Sequence, residues 1–282
     1  VSTNSTTSAR GLHEIPRQER CKGKIQLMFL IFRPGLSGFP ETLTLSRDEY
    51  RHVRARRLRA GGDVFVGDGR GRRQLYRLSE IDTDAAVELR IAADEPPQDV
   101  AERAPPVHLL PAVPDGRRWD WLLQKATELG ATSIQPLRCE HSEARRIKRD
   151  RDERIITEAA TQSRRLVLPA LAETIALKEL LANTPDGAGY LALPDSAQDA
   201  PRSTAIVLDP RGDDRLARLV LPAADDAGRS LQLVIGPEGG FSERELAEFR
   251  RIGCAICVLG TPILRVETAA LAALSWASFC SD

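Results

Sequence analysis

The stretch LQLVIGPEGGFSERELAEFRRIGCAICVLGTPILRVETAA, residues 231–270, decides the fold of this chain. It opens with a short apolar run at 231–235 that contains β-branched residues, which predicts a buried strand. Three of the next five residues, 236–240, are glycine, so the backbone can turn sharply there and approach a ligand closely. Ser242 and Glu245 form a capping-box pattern, which predicts a helix whose free N–H groups face the glycine loop.

The second half of the stretch repeats this arrangement. Residues 255–259 predict another strand, 260–265 an irregular loop, and 267–279 a helix with apolar residues on most faces. A helix of that composition is buried or lies in an interface. Two glycine-bearing loops at the ends of two strands indicate a ligand crevice, although each loop alone is also compatible with an ordinary strand-to-helix turn.

The two loops together resemble the signature of a known family. GPEGGFS at 236–242, followed by LG-x-x-ILR-x-ETA at 259–269, is similar to the bacterial 16S ribosomal RNA uridine-N3 methyltransferases, which belong to the SPOUT class of knotted methyltransferases. Val266 departs from the pattern, since the family usually has Thr there. The resemblance covers almost the whole chain from Met28 on. It implies an α/β fold: a C-terminal α/β trefoil-knot (SPOUT) methyltransferase domain preceded by a small PUA-like β-barrel.

The resemblance also implies a reaction and a site. The reaction is methyl transfer from S-adenosylmethionine to N3 of uridine 1498 in 16S rRNA of the small ribosomal subunit. Arg265 is the first candidate for stabilising the uracil anion, and Arg165, which matches the Arg of the family's EAxEQSxR element, is the second. No residue of the signature presents itself as the proton acceptor. The residues expected to contact the cofactor are Leu193, Pro194, Gly236, Pro237, Glu238, Gly239, Gly240, Leu259, Gly260, Ile263 and Leu264.

The composition limits the classes of protein to which this chain can belong. A length of 282 residues is enough for two domains, and 42% hydrophobic residues support a real core. The formal net charge is zero, but nearly all positive charge is Arg, which suits phosphate contacts and can equally reflect a GC-rich genome. The five cysteines are an odd, scattered set, which indicates a reducing compartment, and we expect a cytoplasmic protein. No apolar stretch approaches the ~18 residues of a membrane span.

Metal binding is not expected. Cys254 and Cys257 have the spacing of a zinc or redox pair, but residues three apart at the entry to a strand point to opposite faces. The four histidines form no metal-ligand spacing. The sequence also lacks GxGxxG, GxxxxGK[ST] and GxSxG patterns, which argues against a dinucleotide-binding Rossmann site, a P-loop and a nucleophile elbow.

The chain divides into four segments. Residues 1–26 have no apolar periodicity and predict a disordered tail. Residues 27–96 contain many short strands, which predict a small barrel, PUA-like and RNA-binding by the resemblance. Residues 97–106 complete a proline-rich run that predicts a linker. Residues 107–282 alternate strands and helices, including strands at 133–138, 190–193 and 205–208, which is typical of a largely parallel sheet.

The first of the two domains contains a helix, predicted at 46–59, that is unusually basic. Phosphate contact is the functional interpretation, and a solvated face is the alternative. The candidate RNA-binding residues are Arg47, Arg51, His52, Arg54, Arg57 and Arg59. The resemblance further implies a homodimer, to which the apolar helix at 269–279 can contribute. Two other functions stay open: a methyltransferase acting on another RNA position, such as a ribose 2′-hydroxyl, and a catalytically silent RNA-binding protein.

Overall fold

A computed structural model describes residues 29–79, 88–92, 96–100, 105–143, 147–193, 203–219 and 230–279. The predicted tail at 1–26 lies outside the described residues. Two sheets organise the described chain, one before and one after residue 105. The second sheet carries the loops on which the functional prediction rests.

The N-terminal sheet has six strands among the described residues, in the order β1-β3-β4-β5-β2 with β6 paired to β4. β1 and β3 run parallel, and the other pairs are antiparallel. Its core is built from apolar side chains of the strands and of one helix, α1. The elements are β1 (Phe29–Phe32), β2 (Thr42–Thr44), α1 (Arg47–Ala55), β3 (Asp63–Gly67), β4 (Arg72–Leu78), β5 (Glu88–Ile91) and β6 (Gln98–Asp99).

Helix α1 begins as predicted and ends earlier. The Ser46 side chain accepts a hydrogen bond from the Glu49 backbone, and the Glu49 side chain accepts one from the Ser46 backbone, so the capping box is complete. The helix packs on the sheet through the fully buried Val53. It stops at Ala55, and Arg57 takes a left-handed backbone conformation with φ of 56°, so the basic residues after 55 lie on a turn.

The predicted linker contains a strand. Gln98 and Asp99 pair with Arg73 and Arg72 of β4, and the Arg73 side chain donates to Gln98 Oε1 at 2.8 Å. Residues 101–104 lie outside the described residues. The linker predicted from residue 97 on therefore does not begin there, because residues 98 and 99 form an edge strand. An edge strand of two residues fits between prolines because it needs few backbone donors.

The C-terminal sheet has seven strands among the described residues, in the order β10-β8-β7-β14-β12-β15-β13, and every pair is parallel. A separate two-stranded sheet joins β9 and β11. The strands are β7 (Val107–Pro111), β8 (Ser133–Ile134), β9 (Leu137–Arg138), β10 (Ala170–Leu171), β11 (Ile175–Ala176), β12 (Ser203–Leu208), β13 (Asp214–Arg215), β14 (Ser230–Ile235) and β15 (Ala255–Val258). The helices are α2 (Gly116–Glu128), α3 (Arg149–Ser163), α4 (Leu177–Ala182), α5 (Glu243–Arg251) and α6 (Val266–Phe279).

Strand β14 is buried along its whole length, as expected for a central parallel strand covered on both faces. Leu231, Leu233 and Ile235 pack into the core cluster that contains α2 and α6. Val234 points the other way, into the cluster that contains α4 and α5. The parallel α/β prediction is confirmed, with the sheet between two layers of helices.

Two local predictions were wrong. The strand predicted at 133–138 is two strands, because Pro136 lies between β8 and β9 and has no N–H to donate to a ladder. The segment predicted as a strand at 190–193 is not one. The side-chain amide of Gln232, in the middle of β14, satisfies the backbone of Leu191 from both sides: it donates to the carbonyl at 3.0 Å and accepts from the N–H at 2.7 Å.

The two sheets are joined by backbone hydrogen bonds. The turn between β3 and β4 lies against the segment that follows α3. Leu168 N–H donates to the Gly69 carbonyl at 2.9 Å, and Gly71 N–H donates to the Leu166 carbonyl at 3.2 Å. This contact fixes the N-terminal sheet against the C-terminal one without a long linker.

Candidate active site

The carboxyl ends of three neighbouring parallel strands meet at one edge of the C-terminal sheet. β12 lies between β14 and β15, and its last residue, Leu208, pairs with Ile235 of β14 and Cys257 of β15. The loops that follow these strands are therefore adjacent. They span residues 209–212, 236–240 and 259–265. The edge formed by these loops is where ligands bind in open parallel sheets.

The glycine loop at 236–240 is closely packed on both sides. A Cβ atom on Gly236 would lie 2.9 Å from the ring of Phe241, and one on Gly239 would lie 3.0 Å from Cβ of His141. Phe241 is itself buried and meets Phe249 edge to face, with ring centroids 5.2 Å apart. The glycines therefore let the loop backbone approach its neighbours where a side chain would force them apart.

The loop after β12 is tied to the glycine loop through Arg211, which also pairs with the buried carboxylate of Asp209. The Asp209 side chain is 1% exposed and accepts hydrogen bonds from Arg211 Nε at 2.8 Å and Nη2 at 2.9 Å. Burial alone would raise the pKa of Asp209, but the hydrogen bonds from Arg211 and from the Phe241 backbone outweigh burial and hold that pKa below its usual value. Arg211 also donates to the Phe241 carbonyl at 2.6 Å and to Glu243 at 2.7 Å.

A turn that follows β9 lies on the other side of the glycine loop. His141 Nδ1 is 3.1 Å from the Gly240 carbonyl oxygen. The Glu140 N–H donates to Glu245 Oε1 at 2.8 Å, and the Cys139 N–H donates to Ser142 Oγ at 2.9 Å. Burial, together with the nearby Glu245 carboxylate, raises the pKa of the Cys139 thiol to about 12, which disfavours the nucleophilic thiolate. The turn is pinned to the loop and to α5, while the His141 side chain stays exposed.

The loop after β15 is open to solvent. Ile263 is 82% exposed and Leu264 is 37% exposed. Arg265 is exposed too, and its guanidinium makes no hydrogen bond or ion pair with any other residue that the structure describes. These three side chains are thus free to meet a ligand or a partner. Within the described residues, no contact commits the Arg265 charge to a structural role.

Arg118 of α2 connects two elements of this edge. Its guanidinium lies 3.4 Å from Glu238 of the glycine loop and 3.8 Å from Glu267 in the first turn of α6. An open cleft of about 370 Å³ lies beside it, lined by Arg117, Arg118, Trp121, Glu267 and Thr268. Glu267 is 6% exposed, and its Oε2 has no hydrogen-bond partner among the described residues. A buried carboxylate oxygen without a partner is costly, so a ligand that donates hydrogen bonds fits this position.

Arg165 lies elsewhere. Its guanidinium donates to the carbonyl oxygens of Thr127, Gly130 and Ala131 at 3.1, 3.3 and 2.6 Å, which are the acceptors left open at the end of a helix. These carbonyls lie in the last turn of α2 and directly after it. Helix α2 runs back from the carboxyl edge of β7 over about 20 Å. Arg165 thus caps α2 at the opposite edge of the sheet, and this position does not support its catalytic assignment.

The first of the predicted cofactor segments is only partly described. Leu193 follows Leu191, which is bound to the middle of β14, and it packs against the core cluster of α4 and α5. Pro194 lies outside the described residues. The loop that does stand at the carboxyl edge of β12 is Asp209–Arg211–Gly212, and sequence reasoning missed it. A signal existed, because Asp-Pro-Arg-Gly directly follows the strand predicted at 205–208.

The predicted RNA-binding residues share one surface. Arg47, Arg51, His52 and Arg54 project from α1, and Arg57 and Arg59 follow it; all are exposed. Arg51 pairs with Asp48, and the Arg54 guanidinium lies 5.9 Å from the centre of the Tyr50 ring. These six residues form a basic patch. Acidic neighbours neutralise part of its charge, and most of the remaining charge faces solvent.

The cysteine pair is structural. Cys254 packs in one core cluster and Cys257 in the other, so the two thiols lie on opposite faces of the sheet, as predicted. Burial raises their pKa values to about 12 and about 11. No cluster of three or more potential metal ligands occurs within the described ranges. None of the helices in that part of the chain has the length and apolar character of a membrane span.

Comparison with known proteins decides the family. A family model described as an RNA methyltransferase domain matches residues 102–278. The chain belongs to this RNA methyltransferase family. The match covers the entire parallel sheet with its three loops and begins after the last strand of the N-terminal sheet, so the family match includes the candidate active site.

Individual relatives of this RNA methyltransferase agree. Ribosomal RNA small subunit methyltransferase E of Bacillus subtilis is 29% identical over 251 residues, covering 86% of this chain and 91% of the relative. The Mycobacterium bovis protein of the same name is 30% identical, covering 78% and 79%. A crystal structure of the Neisseria gonorrhoeae protein of that name, bound to S-adenosyl methionine, superposes with a TM-score of 0.69 at 26% identity, covering 88% of this chain and 95% of that one.

Proposed function

We propose that this chain transfers the methyl group of S-adenosylmethionine to N3 of a uridine, position 1498, in 16S rRNA of the small ribosomal subunit. The observation that carries the proposal is the junction of the GPEGG and ILR-x-ETA loops at one edge of the parallel sheet. The names of the relatives and the cofactor in the Neisseria structure support the substrate and the methyl donor.

The residues at this edge fit S-adenosylmethionine, which carries a sulfonium and an ammonium. The unpartnered Oε2 of Glu267 is an acceptor for such a cation. The glycine loop offers backbone groups for hydrogen bonds, and the exposed Ile263 and Leu264 can cover the faces of an adenine. The proposed contacts are Gly236, Pro237, Glu238, Gly239, Gly240, Leu259, Gly260, Ile263 and Leu264.

When bound, the cofactor supplies an electrophilic methyl carbon. Uracil N3–H is a weak acid, so N3 must lose its proton before or during attack. The enzyme positions the nitrogen in line with the methyl group and the sulfur. We assign the free guanidinium of Arg265 to the uracil oxygens, where it stabilises the imide anion. N3 lies on the Watson–Crick edge, so the target base is unpaired or flipped out when it reacts.

The exposed basic residues of α1 and its following turn bind phosphates in this proposal. The N-terminal sheet that carries them is the PUA-like barrel of the family. The contact between residues 69–71 and 166–168 joins the sheet that carries this surface to the domain that carries the three loops. RNA affinity and chemistry are therefore divided between the two sheets.

The trefoil knot is also part of the proposal. β15 lies beyond β12 as seen from β14, whereas α6 packs on α2, β7 and β14. The segment 259–265 must therefore cross the carboxyl ends of the central strands between β15 and α6. Such a crossing supports a knotted path, which is rare among folds.

We further propose a cytoplasmic homodimer. Ala270, Ala273 and Leu274 of α6 pack in the chain's own core, so the helix alone does not supply an interface. Trp121 of α2 is 43% exposed and lies in the cleft beside α6, where a second copy can cover it. Multi-angle light scattering should give twice the chain mass for the wild type and a monomer for Trp121→Asp. A monomeric wild type would rule the dimer out.

The competing functions are distinguishable by one experiment. Nucleoside analysis of 16S rRNA from cells with and without the gene should show N3-methyluridine only when the gene is present. Loss of a 2′-O-methylated nucleoside instead would identify a ribose methyltransferase. An unchanged nucleoside profile, together with no heat of S-adenosylmethionine binding, would indicate a silent RNA-binding protein.

A further inference from the structure

We propose that His141 accepts the N3 proton of the target uracil. The inference rests on the proposed function and supplies the proton acceptor that the loop signatures lack. His141 belongs to the turn after β9, which lies against the glycine loop on the side away from Arg211. The turn carries no part of the GPEGG or ILR-x-ETA signatures, so neither motif points to it.

The position of His141 is fixed by its neighbours. The Glu140 N–H is bound to Glu245 of α5, and the Cys139 N–H is bound to Ser142. The His141 Cβ lies 3.0 Å from where a Gly239 Cβ would be, so only a glycine allows this approach. The imidazole thus stands at the rim of the crevice with restricted freedom, as a group that handles a substrate proton must.

The hydrogen bond to Gly240 selects the tautomer. A carbonyl oxygen only accepts, so His141 Nδ1 must carry the proton in the 3.1 Å contact. Nε2 of the neutral ring then has a free lone pair. It makes no hydrogen bond to another residue in the described ranges, and the side chain is exposed. A base that enters the crevice can therefore reach an unprotonated nitrogen.

The other acceptors at this edge are already engaged. Asp209 is bound by Arg211, and Glu245 accepts from the backbone N–H groups of Glu140 and Ser242. Glu267 faces Arg118 and, in the proposed function, holds a cationic group. The other described histidines are distant in the fold, with His52 on α1 and His108 bound to Ser133 within the sheet at 2.7 Å.

The His141 Nε2 lone pair takes the N3 proton, and the N–H bonding pair remains on N3 as the lone pair of the imide anion. That pair forms the N3–CH₃ bond while the bond between methyl carbon and sulfur breaks with its electrons on sulfur. The imidazolium then releases the proton to solvent. Arg265 balances the negative charge on the uracil oxygens during the step.

Several charged groups lie on the elements around the imidazole and enter its pH response. Arg211 lies on the far side of Gly240, since its Nη2 is 3.6 Å from where a Gly240 Cβ would be. The others come from the turn itself, the strand before it, the glycine loop and α5: Glu140, Glu143, Arg138, Glu238, Glu243 and Glu245. Imidazole is the side chain that ordinarily changes its charge between pH 5 and 8, so a rate change in that window that vanishes in His141→Gln reports this imidazole.

The test is a single-turnover pH profile with saturating S-adenosylmethionine and unmodified small subunits. For the wild type, the rate of N3-methyluridine formation should rise between pH 5 and 8. His141→Gln replaces the imidazole by an amide, which is polar but has no titrating acceptor. Its rate at pH 7 should fall by about a hundredfold or more, the rise should vanish, and the affinities for cofactor and RNA should stay unchanged.

A second measurement does not depend on turnover. Histidine ¹⁵N spectra of the free protein, assigned by comparison with His141→Gln, should show the Nδ1-protonated tautomer. If His141→Gln keeps the wild-type rate and pH profile, His141 is not the proton acceptor, and the proposed function is untouched. The same holds if the pH response is lost in Glu267→Gln but kept in His141→Gln. A spectrum that shows the Nε2-protonated tautomer would also rule His141 out as the acceptor. If the wild type forms another nucleoside, the proposed function fails and this inference fails with it.

Discussion

Arg211 holds the buried carboxylate of Asp209 through two guanidinium hydrogen bonds of 2.8 and 2.9 Å. The same guanidinium reaches the carbonyl of Phe241, directly after the glycine loop. The end of β12 and the loop after β14 are therefore one rigid unit. The two walls of the crevice keep their spacing without a ligand, which favours binding because less order must be imposed on association.

Replacing Asp209 should destabilise the fold in a pH-dependent way. Its pKa is lowered in the folded state, so the ionised form contributes stability that is present above the unfolded pKa of about 3.9 and is lost as pH falls through the lower folded pKa. Asp209→Asn should reduce the free energy of unfolding by about 2 kcal/mol at pH 7, since the half-exposed Arg211 lets solvent screen the pair.

Urea denaturation at pH 7 and at pH 3 measures this difference, which should shrink at the lower pH. Asp213→Asn is the matched control, because Asp213 is 79% exposed and lies 4.0 Å from Arg250, and it should change little at either pH. An equal loss of stability for Asp209→Asn at both values would show that the ion pair is not its source.

The glycine loop should not tolerate a branched side chain at Gly239. Gly239→Val places a Cβ within 3.0 Å of His141, so the loop or the turn must move, and S-adenosylmethionine affinity should fall at least tenfold. Circular dichroism should show a retained fold. Gly38→Val is the control, since a Cβ there meets no atom within 4 Å. Normal cofactor affinity in Gly239→Val, measured by calorimetry, would remove Gly239 from the site.

The basic surface of the N-terminal sheet should supply RNA affinity. Each phosphate that an Arg neutralises releases counterions, with a slope of about 0.9 in log affinity against log salt on duplex-like RNA. The double variant Arg54→Ala and Arg57→Ala should weaken RNA binding and flatten this slope by about 2, while cofactor affinity stays unchanged. Lys178→Ala with Arg218→Ala, two exposed cations of the other domain, is the control. An unchanged slope of log affinity against log salt in the double variant would indicate that these arginines are only solvated and do not contact phosphates.

Arg265→Ala should affect turnover and spare binding. A lost charge-stabilising contact is typically worth ~3 kcal/mol, on the order of a hundredfold in rate. RNA affinity should be nearly unchanged, since the phosphates are held by the other sheet, while kcat at saturating RNA and cofactor falls. Weaker cofactor binding with normal saturated turnover would mean that Arg265 only pins its loop, and its catalytic assignment would have to be withdrawn.

Local patterns predicted the local structure well. The capping boxes at Ser46 and Ser242 both form, because a cap depends on residues within one turn. The buried strands 231–235 and 255–259 also lie within a residue of the observed β14 and β15. These elements carry the glycine loops, so the crevice followed from the sequence once parallel strands were predicted.

Contacts between distant residues were not predictable in this way. The runs YLALP at 190–194 and STAIVL at 203–208 are both apolar, so the sequence does not distinguish them. In the structure the Gln232 side chain binds the first run at Leu191, while β14 pairs with the second run as a strand. A motif match singled out Arg165, yet its hydrogen-bond partners lie in the turn after α2, more than 30 residues earlier in the chain. His141 became a candidate only when its turn was found against Gly240.

The most direct test of the account is the identity of the methylated atom. Purified protein should be incubated with isotopically labelled S-adenosylmethionine and small ribosomal subunits that lack the modification. Digested 16S rRNA is then analysed by mass spectrometry, and reverse transcription maps the site, since a methyl group at N3 blocks base pairing. The account predicts labelled N3-methyluridine and one new stop next to position 1498. A labelled ribose, a different base or no label would contradict it.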